Sequence, residues 1–464
     1  MTIWVPRLKG VTGPRYREIA EAIGAAIQSG ELQADQRLPT HRSLAEALEV
    51  TTGTVTRAYG EAERKGWVYG VVGRGTFVRG REPSAGQWQF LEATAKGLIE
   101  LNINRPLNRN RADMLSDAMA ALTAFPKDLN RLLDYQPDVG IEAHREVISQ
   151  WVARGPWRPG PDQLVISNGG QHAILVALMT LTRAGDTVLC EALTYPGFTA
   201  VAHQLELSVR ALVMDEQGIL PEALEAACRQ HGPRVLFCTP TLQNPTTATM
   251  SPERRQAVLD ICEQYGVTII EDDVSAGLWT DGPAPLAAMA PERVVHIGSF
   301  SKTLAGGLRV GYLVAPRSIR ARIGAAVRAT CWMASPLMVA LVCEWIRSGA
   351  ANQLLESQRE ELAARLDIAR EILTGYQLRG HPGGLHLWLI LPDTWRGDEF
   401  VGAAERRGVL IMGAATFTIG RQSVPPHAVR ISLGAATSRD QLRFGLVIIR
   451  DLLRDGSEPA FPAM

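Results

Sequence analysis

The sequence is short of lysine. Only Lys9, Lys65, Lys96, Lys127 and Lys302 occur among 48 basic residues, so the last 337 of the 464 positions hold a single lysine. Net charge is also missing: 48 basic residues meet 48 acidic ones. With 46% apolar and 21% charged residues, this balance excludes a disordered, collagen-like or supercharged chain. No uncharged apolar run reaches 18 residues, so no membrane span is expected. The opening Met1–Arg7 lacks a basic stretch followed by a long apolar one, so no secretory leader is expected. Six scattered cysteines (Cys190, Cys228, Cys238, Cys262, Cys331, Cys343) form no C-x-x-C pair. That argues for a reducing cytoplasm, and against both a disulfide framework and a metal site.

Charge is uneven along the chain. Residues 1–80 hold 2 Lys and 9 Arg against 8 Asp and Glu, a basic head on a slightly acidic remainder. The head reads as three helices and a hairpin. Tyr16, Ile19, Ala20, Ile23 and Ile27 follow helical spacing from about Pro14 to Gln28. A second, short helix carries Leu44, Ala47 and Leu48. A third runs from about Thr52 to Lys65 with Val55, Ala58, Tyr59 and Ala62 inside. Trp67–Tyr69 and Thr76–Val78 flank a glycine-punctuated turn.

This arrangement matches a winged helix-turn-helix, a small α+β fold. The third helix turns Thr52, Gly53, Thr56, Arg57 and Gly60 outward, small or cationic groups that can approach phosphates and base edges. Thr40 and Arg42 open the second helix, where free backbone N–H groups favour phosphate. Arg74 tips the hairpin, within reach of a minor groove. A protein-interaction module with solvated threonines is the alternative. The blocks Tyr16–Ala20, Gly30–Leu32, Arg37–Ala45, Thr54–Tyr59 and Gly73–Val78 together resemble the GntR-type DNA-binding domain. The resemblance adds Arg37, Thr54 and Gly75 to the DNA-facing set. Gly53 departs from it, since the family usually carries a polar side chain there.

Residues 81–98 read as a linker, 99–455 as a body and 456–464 as a tail. In the body, apolar strands alternate with helical stretches: Leu164–Ile166, Thr187–Cys190, Val209–Val213, Val235–Cys238, Val267–Ile270, Val294–Ile297 and Val310–Val314. Alternation predicts a mainly parallel, seven-stranded α/β sheet. A smaller C-terminal α+β domain follows, with strands at Leu385–Leu391, Val409–Met412 and Val429–Leu433.

Lys302 sits just past a strand, among hydroxyls and glycines, with Arg309 seven residues on. An amine there suits an aldehyde–phosphate cofactor held by the guanidinium and hydroxyls. The alternative is a plain surface lysine. Gly169, Gly170 and Gln171 follow a strand and open a helix, so their backbone N–H groups can cradle phosphate. Tyr195 can stack on a flat ring. Asn244 offers an amide to a ring hydroxyl. Asp272 ends a strand, where a carboxylate can keep a pyridine nitrogen protonated. Arg430 lies inside an apolar strand, so it faces an anion: a bound carboxylate or an internal Asp or Glu.

Together these pieces resemble fold type I of the pyridoxal-phosphate enzymes. The resemblance implies that Lys302 forms the internal aldimine with pyridoxal 5′-phosphate and that Asp272 pairs with the pyridine nitrogen. It gives Asn244 the phenolic oxygen and Tyr195 the stacking role. Gly170, Gln171, Ser299, Ser301 and Arg309 would hold the phosphate, with Gly169 beside them. Arg430 would bind an effector or substrate carboxylate, and Tyr135 would reach the phosphate of a neighbouring subunit. One departure concerns the tyrosine usual three residues after the aspartate: that position is Ser275, beside Val274. Another is Thr247, which replaces a usual glycine.

A GntR-type head on such a body resembles the MocR/GabR family of transcription regulators. That resemblance implies a cytoplasmic, head-to-tail, domain-swapped homodimer on double-stranded DNA, sensing an amino compound through its cofactor. The alternative is a working aminotransferase; Ser275 speaks against fast turnover.

Overall fold

The computed structural model describes residues 4–6, 8, 14–29, 31–33, 36–64, 67–71, 75–78, 97–107, 111–124, 126–420 and 424–456. The chain divides into two compact units, Met1–Gln89 and Phe90–Met464.

In the first unit, α1 (Arg15–Gln28), α2 (His41–Ala47) and α3 (Thr52–Arg64) precede the strands β1 (Val68–Val71) and β2 (Gly75–Val78). Pro14 stands just outside α1, as its N-cap. Ile19, Ala20, Ile23, Val55, Ala58 and Ala62 close a dry core. A Cβ at Gly24 would collide with the Trp67 indole, so this helix needs a glycine where the wing packs. In α2 it is Ala45, not Ala47, that turns inward; Ala47 faces solvent. Thr40 caps α2 by accepting from Ser43 N–H at 3.2 Å. The wing strands pair antiparallel, Val68 opposite Val78.

The second unit is built on a seven-stranded sheet. Its order is Leu164–Ser167, Gly311–Val314, Val294–Ser299, Thr268–Asp272, Val235–Cys238, Thr187–Glu191 and Ser208–Leu212. All strands run parallel except Gly311–Val314, which is antiparallel to both neighbours. The five strands from Leu164–Ser167 to Val235–Cys238 in that order are almost wholly buried, which explains their uninterrupted apolar runs. A four-stranded antiparallel sheet joins Leu378–Gly380, His386–Ile390, Ala428–Ser432 and Met412–Gly413. The single strand expected at 409–412 is divided. Val409–Leu410 pairs with Ile99–Glu100, while Met412–Gly413 pairs with Ala428–Ser432. Helices Ala350–Ile372, Gly397–Arg406 and Arg439–Asp455 complete this smaller layer. No described helix is long and apolar enough to cross a membrane.

Candidate functional site

Sheet topology creates the site. The parallel strands ending at Ser167, Glu191, Cys238, Asp272 and Ser299 release their loops at one edge, where ligands gather in open α/β sheets. The antiparallel strand starts at that same edge, because Gly311 pairs with both Ser167 and Ser299. Arg309, two residues earlier, is thereby delivered beside Gly169.

Three of the expected phosphate groups meet there. Ser299 Oγ lies 3.0 Å from Ser301 Oγ, and Arg309 Nη1 donates to Ser301 Oγ at 3.4 Å. Arg309 Nη2 donates to the Asn168 carbonyl at 3.3 Å. Gly169 has φ +87° and caps the helix Gly170–Leu181; a Cβ on it would lie 2.6 Å from Arg309 Nη2. The glycine therefore keeps room for the guanidinium. Gln171 donates to the Gly197 carbonyl at 2.7 Å, and its own carbonyl oxygen is buried with no partner among the described residues.

Lys302 Nζ donates to the Asn104 carbonyl at 2.6 Å. Burial lowers its pKa to about 8, with the Arg430 charge acting the same way and Asp272 opposing. Asp272 is buried; loss of hydration pushes its carboxyl up to about 6, although the Val274 N–H donates to it at 3.3 Å. Burial also raises the half-buried Tyr195 to about 12, so its hydroxyl stays protonated.

Arg430 is 2% exposed. No Asp or Glu pairs with it among the described residues, so the internal carboxylate considered from the sequence is not what holds it. Its Nη1 donates to Asn244 Oδ1 at 2.8 Å. Its Nη2 donates to the Asn102 carbonyl and, at 3.0 Å, to Met412 Sδ. The guanidinium also lies 5.0 Å from the Phe417 ring centroid. Burial lowers its pKa to about 9. Holding Asn244 Oδ1 orients that amide, leaving its N–H groups as donors.

The departures from the aminotransferase pattern have a physical place. Val274 packs against Gly170, where a Cβ would lie 3.2 Å from its Cγ1. An aliphatic side chain thus borders the cradle, and no phenol does so from residues 274 or 275. Thr247 has φ +62°, the left-handed region where a glycine is favoured and a β-branched residue is strained. Tyr135 stands 81% exposed, with Trp332 at 5.6 Å between ring centroids; its ring is not part of this pocket's interior.

The sequence missed several participants. Asn102 and Asn104 act through main-chain carbonyls, which carry no residue signature. His386 Nδ1 lies 2.8 Å from the Asn104 amide nitrogen; burial lowers its pKa to about 3, so the neutral ring accepts there. Asp273, next to Asp272, meets Arg154 and the buried His296. Glu191 accepts the Thr239 N–H at 2.7 Å, and Thr194 Oγ1 donates to it at 3.3 Å, tying together the two loops that carry Tyr195 and Asn244.

In the first unit, Thr52, Thr56 and Arg57 are exposed along α3, and Thr54 is half-buried. Thr56 Oγ1 is engaged by the Thr52 carbonyl at 3.0 Å and by His41 Nδ1 at 3.1 Å. Arg37, Thr40 and Arg42 are exposed; Arg42 meets Glu46 at 3.3 Å. Gly75, with φ +115°, is also exposed, and the Arg37 guanidinium approaches it. Arg74 lies outside the described residues.

The Gly169 gap and the hydroxyl–guanidinium cradle fit a phosphate monoester. Beside them, a buried amine and a buried carboxylate fit an aldehyde-bearing pyridine. The body therefore has the fold type I architecture of the pyridoxal-phosphate-dependent aminotransferases, and the chain also carries a winged-helix head. Residues 96–449 match the family model for aminotransferase class I and II, and residues 15–78 match that for bacterial regulatory proteins of the gntR family. The chain is 32% identical over 97% of both chains to the uncharacterized HTH-type transcriptional regulator YdeF of Bacillus subtilis. It is 28% identical to the vitamin B6 salvage pathway transcriptional repressor PtsJ of Salmonella typhimurium, over 91% of this chain and 95% of that one. Among solved structures, the kynurenine aminotransferase of Pyrococcus horikoshii superposes with a TM-score of 0.71 at 22% identity, covering 78% and 92% of the two chains. The chain belongs to the GntR-family HTH-type transcription regulators with an aminotransferase-like body.

Proposed function

We propose that this chain is a pyridoxal-phosphate-dependent transcription regulator whose body senses an amino compound bearing a carboxylate. The carrying observation is the pairing, within one buried site, of Lys302, the single lysine after residue 127, with a guanidinium that no side-chain carboxylate among the described residues neutralises. The bound cofactor supplies an aldehyde that captures amines and a ring that delocalises charge. Lys302, whose proton is loosened by burial, presents its amine to that aldehyde. Asp272 holds a proton at the ring nitrogen, which in turn stabilises its own carboxylate. Asn244 donates to the phenolic oxygen, and Tyr195 stacks on the ring. Gly169, Gly170, Gln171, Ser299, Ser301 and Arg309 hold the phosphate, and Tyr135 completes the site of a second subunit in a head-to-tail homodimer. Arg430 receives the effector's carboxylate.

In the head, Arg37, Thr40, Arg42, Thr52, Thr54, Thr56, Arg57, Arg74 and Gly75 face DNA, and two heads read two half-sites. Such a regulator works in the bacterial cytoplasm. The test is a footprint of the full chain on the DNA upstream of its own gene, with and without pyridoxal phosphate. Two protected patches whose pattern responds to the cofactor are expected. Lys302→Ala should lose the cofactor's protein-bound absorbance and that response, yet keep protection. A response that survives in the variant would overturn the mechanism. Sustained keto-acid release from amino donors would instead favour an enzyme.

A further inference from the structure

The main chain of residues 101–107 lies across the site and engages both of its buried cations. The Asn102 carbonyl accepts from Arg430 Nη2, and the Asn104 carbonyl accepts from Lys302 Nζ. Other bonds fasten the same segment. Ser432 Oγ donates to the Ile103 carbonyl at 2.8 Å, and Ser432 N–H donates to the Leu101 carbonyl at 2.7 Å. Gln358, itself buried, accepts the Leu107 N–H at 3.2 Å and donates to the Lys302 carbonyl at 2.6 Å. Leu101 N–H donates to the Leu410 carbonyl at 2.8 Å. A Cβ on Gly434 would collide with the Arg105 carbonyl oxygen, so the strap is seated closely as well as bonded.

A carbonyl oxygen carries only a partial negative charge, so a carboxylate outcompetes it for a desolvated guanidinium. A carboxylate seated on Arg430 Nη2 competes with the Asn102 oxygen for that donor. The buried carbonyl would then lose its donor, which is costly unless the segment moves. In the sequence, this segment follows residues 79–96, which lead back to the head. We infer that residues 101–107 form a strap which the effector's carboxylate displaces from Arg430, and that this release is the first movement passed toward the head. The inference rests on the assignment of Arg430 as the carboxylate receptor.

A matched pair of ligands tests it on the full chain. N-(5′-phosphopyridoxyl)-L-alanine and N-(5′-phosphopyridoxyl)-ethylamine differ only by the carboxylate. Hydrogen exchange is followed in peptides spanning 97–107, where the bonded amides of Leu101 and Leu107 report strap opening. The alanine adduct should speed exchange by about fivefold or more, and the ethylamine adduct should leave it unchanged. The chain bearing Gly434→Ala should exchange fast without ligand, because its methyl group lifts the strap while Arg430 and Lys302 stay intact. Equal exchange with both adducts, each shown to bind by its absorbance change, would overturn the strap and leave cofactor sensing standing. Failure of the alanine adduct to bind would instead overturn the sensing assignment, and the strap with it.

Discussion

At the residue scale, Lys302 illustrates how burial sets chemistry. An exposed lysine keeps its proton far above neutral pH and is a poor nucleophile. Here loss of hydration, helped by Arg430, lowers its pKa to about 8. A lowered amine pKa means that the neutral, reactive form grows as pH rises toward 8 and levels off above it. The rate of cofactor attachment should therefore climb roughly tenfold between about pH 7 and pH 9, then flatten. Arg430→Gln removes a repelling charge, so its profile should move to higher pH. Stopped-flow absorbance after mixing with pyridoxal phosphate measures both. A pH-independent rate, or an unshifted profile in the variant, would remove the assigned role of burial and of Arg430. Lys302 itself was legible in the sequence because its surroundings contain no other lysine. Its depressed pKa was not, because hydration depends on neighbours brought in from elsewhere in the chain.

At the scale of elements, α3 was legible in detail. Its helical spacing separates Val55, Ala58 and Tyr59, which pack inside, from Thr52, Thr56 and Arg57, which stay outside. Such a face, with one cation and short hydroxyl side chains, suits close contact with a phosphate backbone. Arg57→Ala should weaken binding to duplex DNA about equally across sequences and reduce the slope of log affinity against log salt by about 1. An unchanged slope would take Arg57 off the DNA. Thr56 turns outward as its spacing predicts, and its hydroxyl is also engaged by His41 and by the Thr52 carbonyl. That engagement joins α2 to α3 and depends on their packing, which spacing within one helix does not reveal. The division of the strand expected at 409–412 has a similar origin. The chain changes partner at Ile411, from Ile99–Glu100 to Ala428–Ser432, and the local apolar pattern is the same on either side.

At the scale of the whole molecule, the homodimer would make the site a shared one. Tyr135 is 81% exposed within a single chain, an unusual state for a tyrosine beside a tryptophan. Contact with a second subunit's phosphate would account for it. Tyr135→Ala should then weaken pyridoxal phosphate binding by about tenfold in the dimer, the loss of one hydrogen bond to a charged group. Absorbance titration, with sedimentation to confirm the dimer, provides the check. Undiminished affinity would assign the exposed ring elsewhere.

The sequence by itself determined which elements form and which side-chain types are available to the site. Periodicity produces the head's helices and the buried strands, and the types and order of Lys302, Asp272, Asn244, Arg309 and Arg430 survive any rearrangement of the chain around them. Tertiary structure alone decided what those groups touch. Arg430 meets Asn244 and a main-chain carbonyl rather than a carboxylate, and Lys302 meets the carbonyl of Asn104, nearly 200 positions away. Every residue has a carbonyl, so no residue letter marks the one that will cap a buried cation. Only the folded path of the chain selects it.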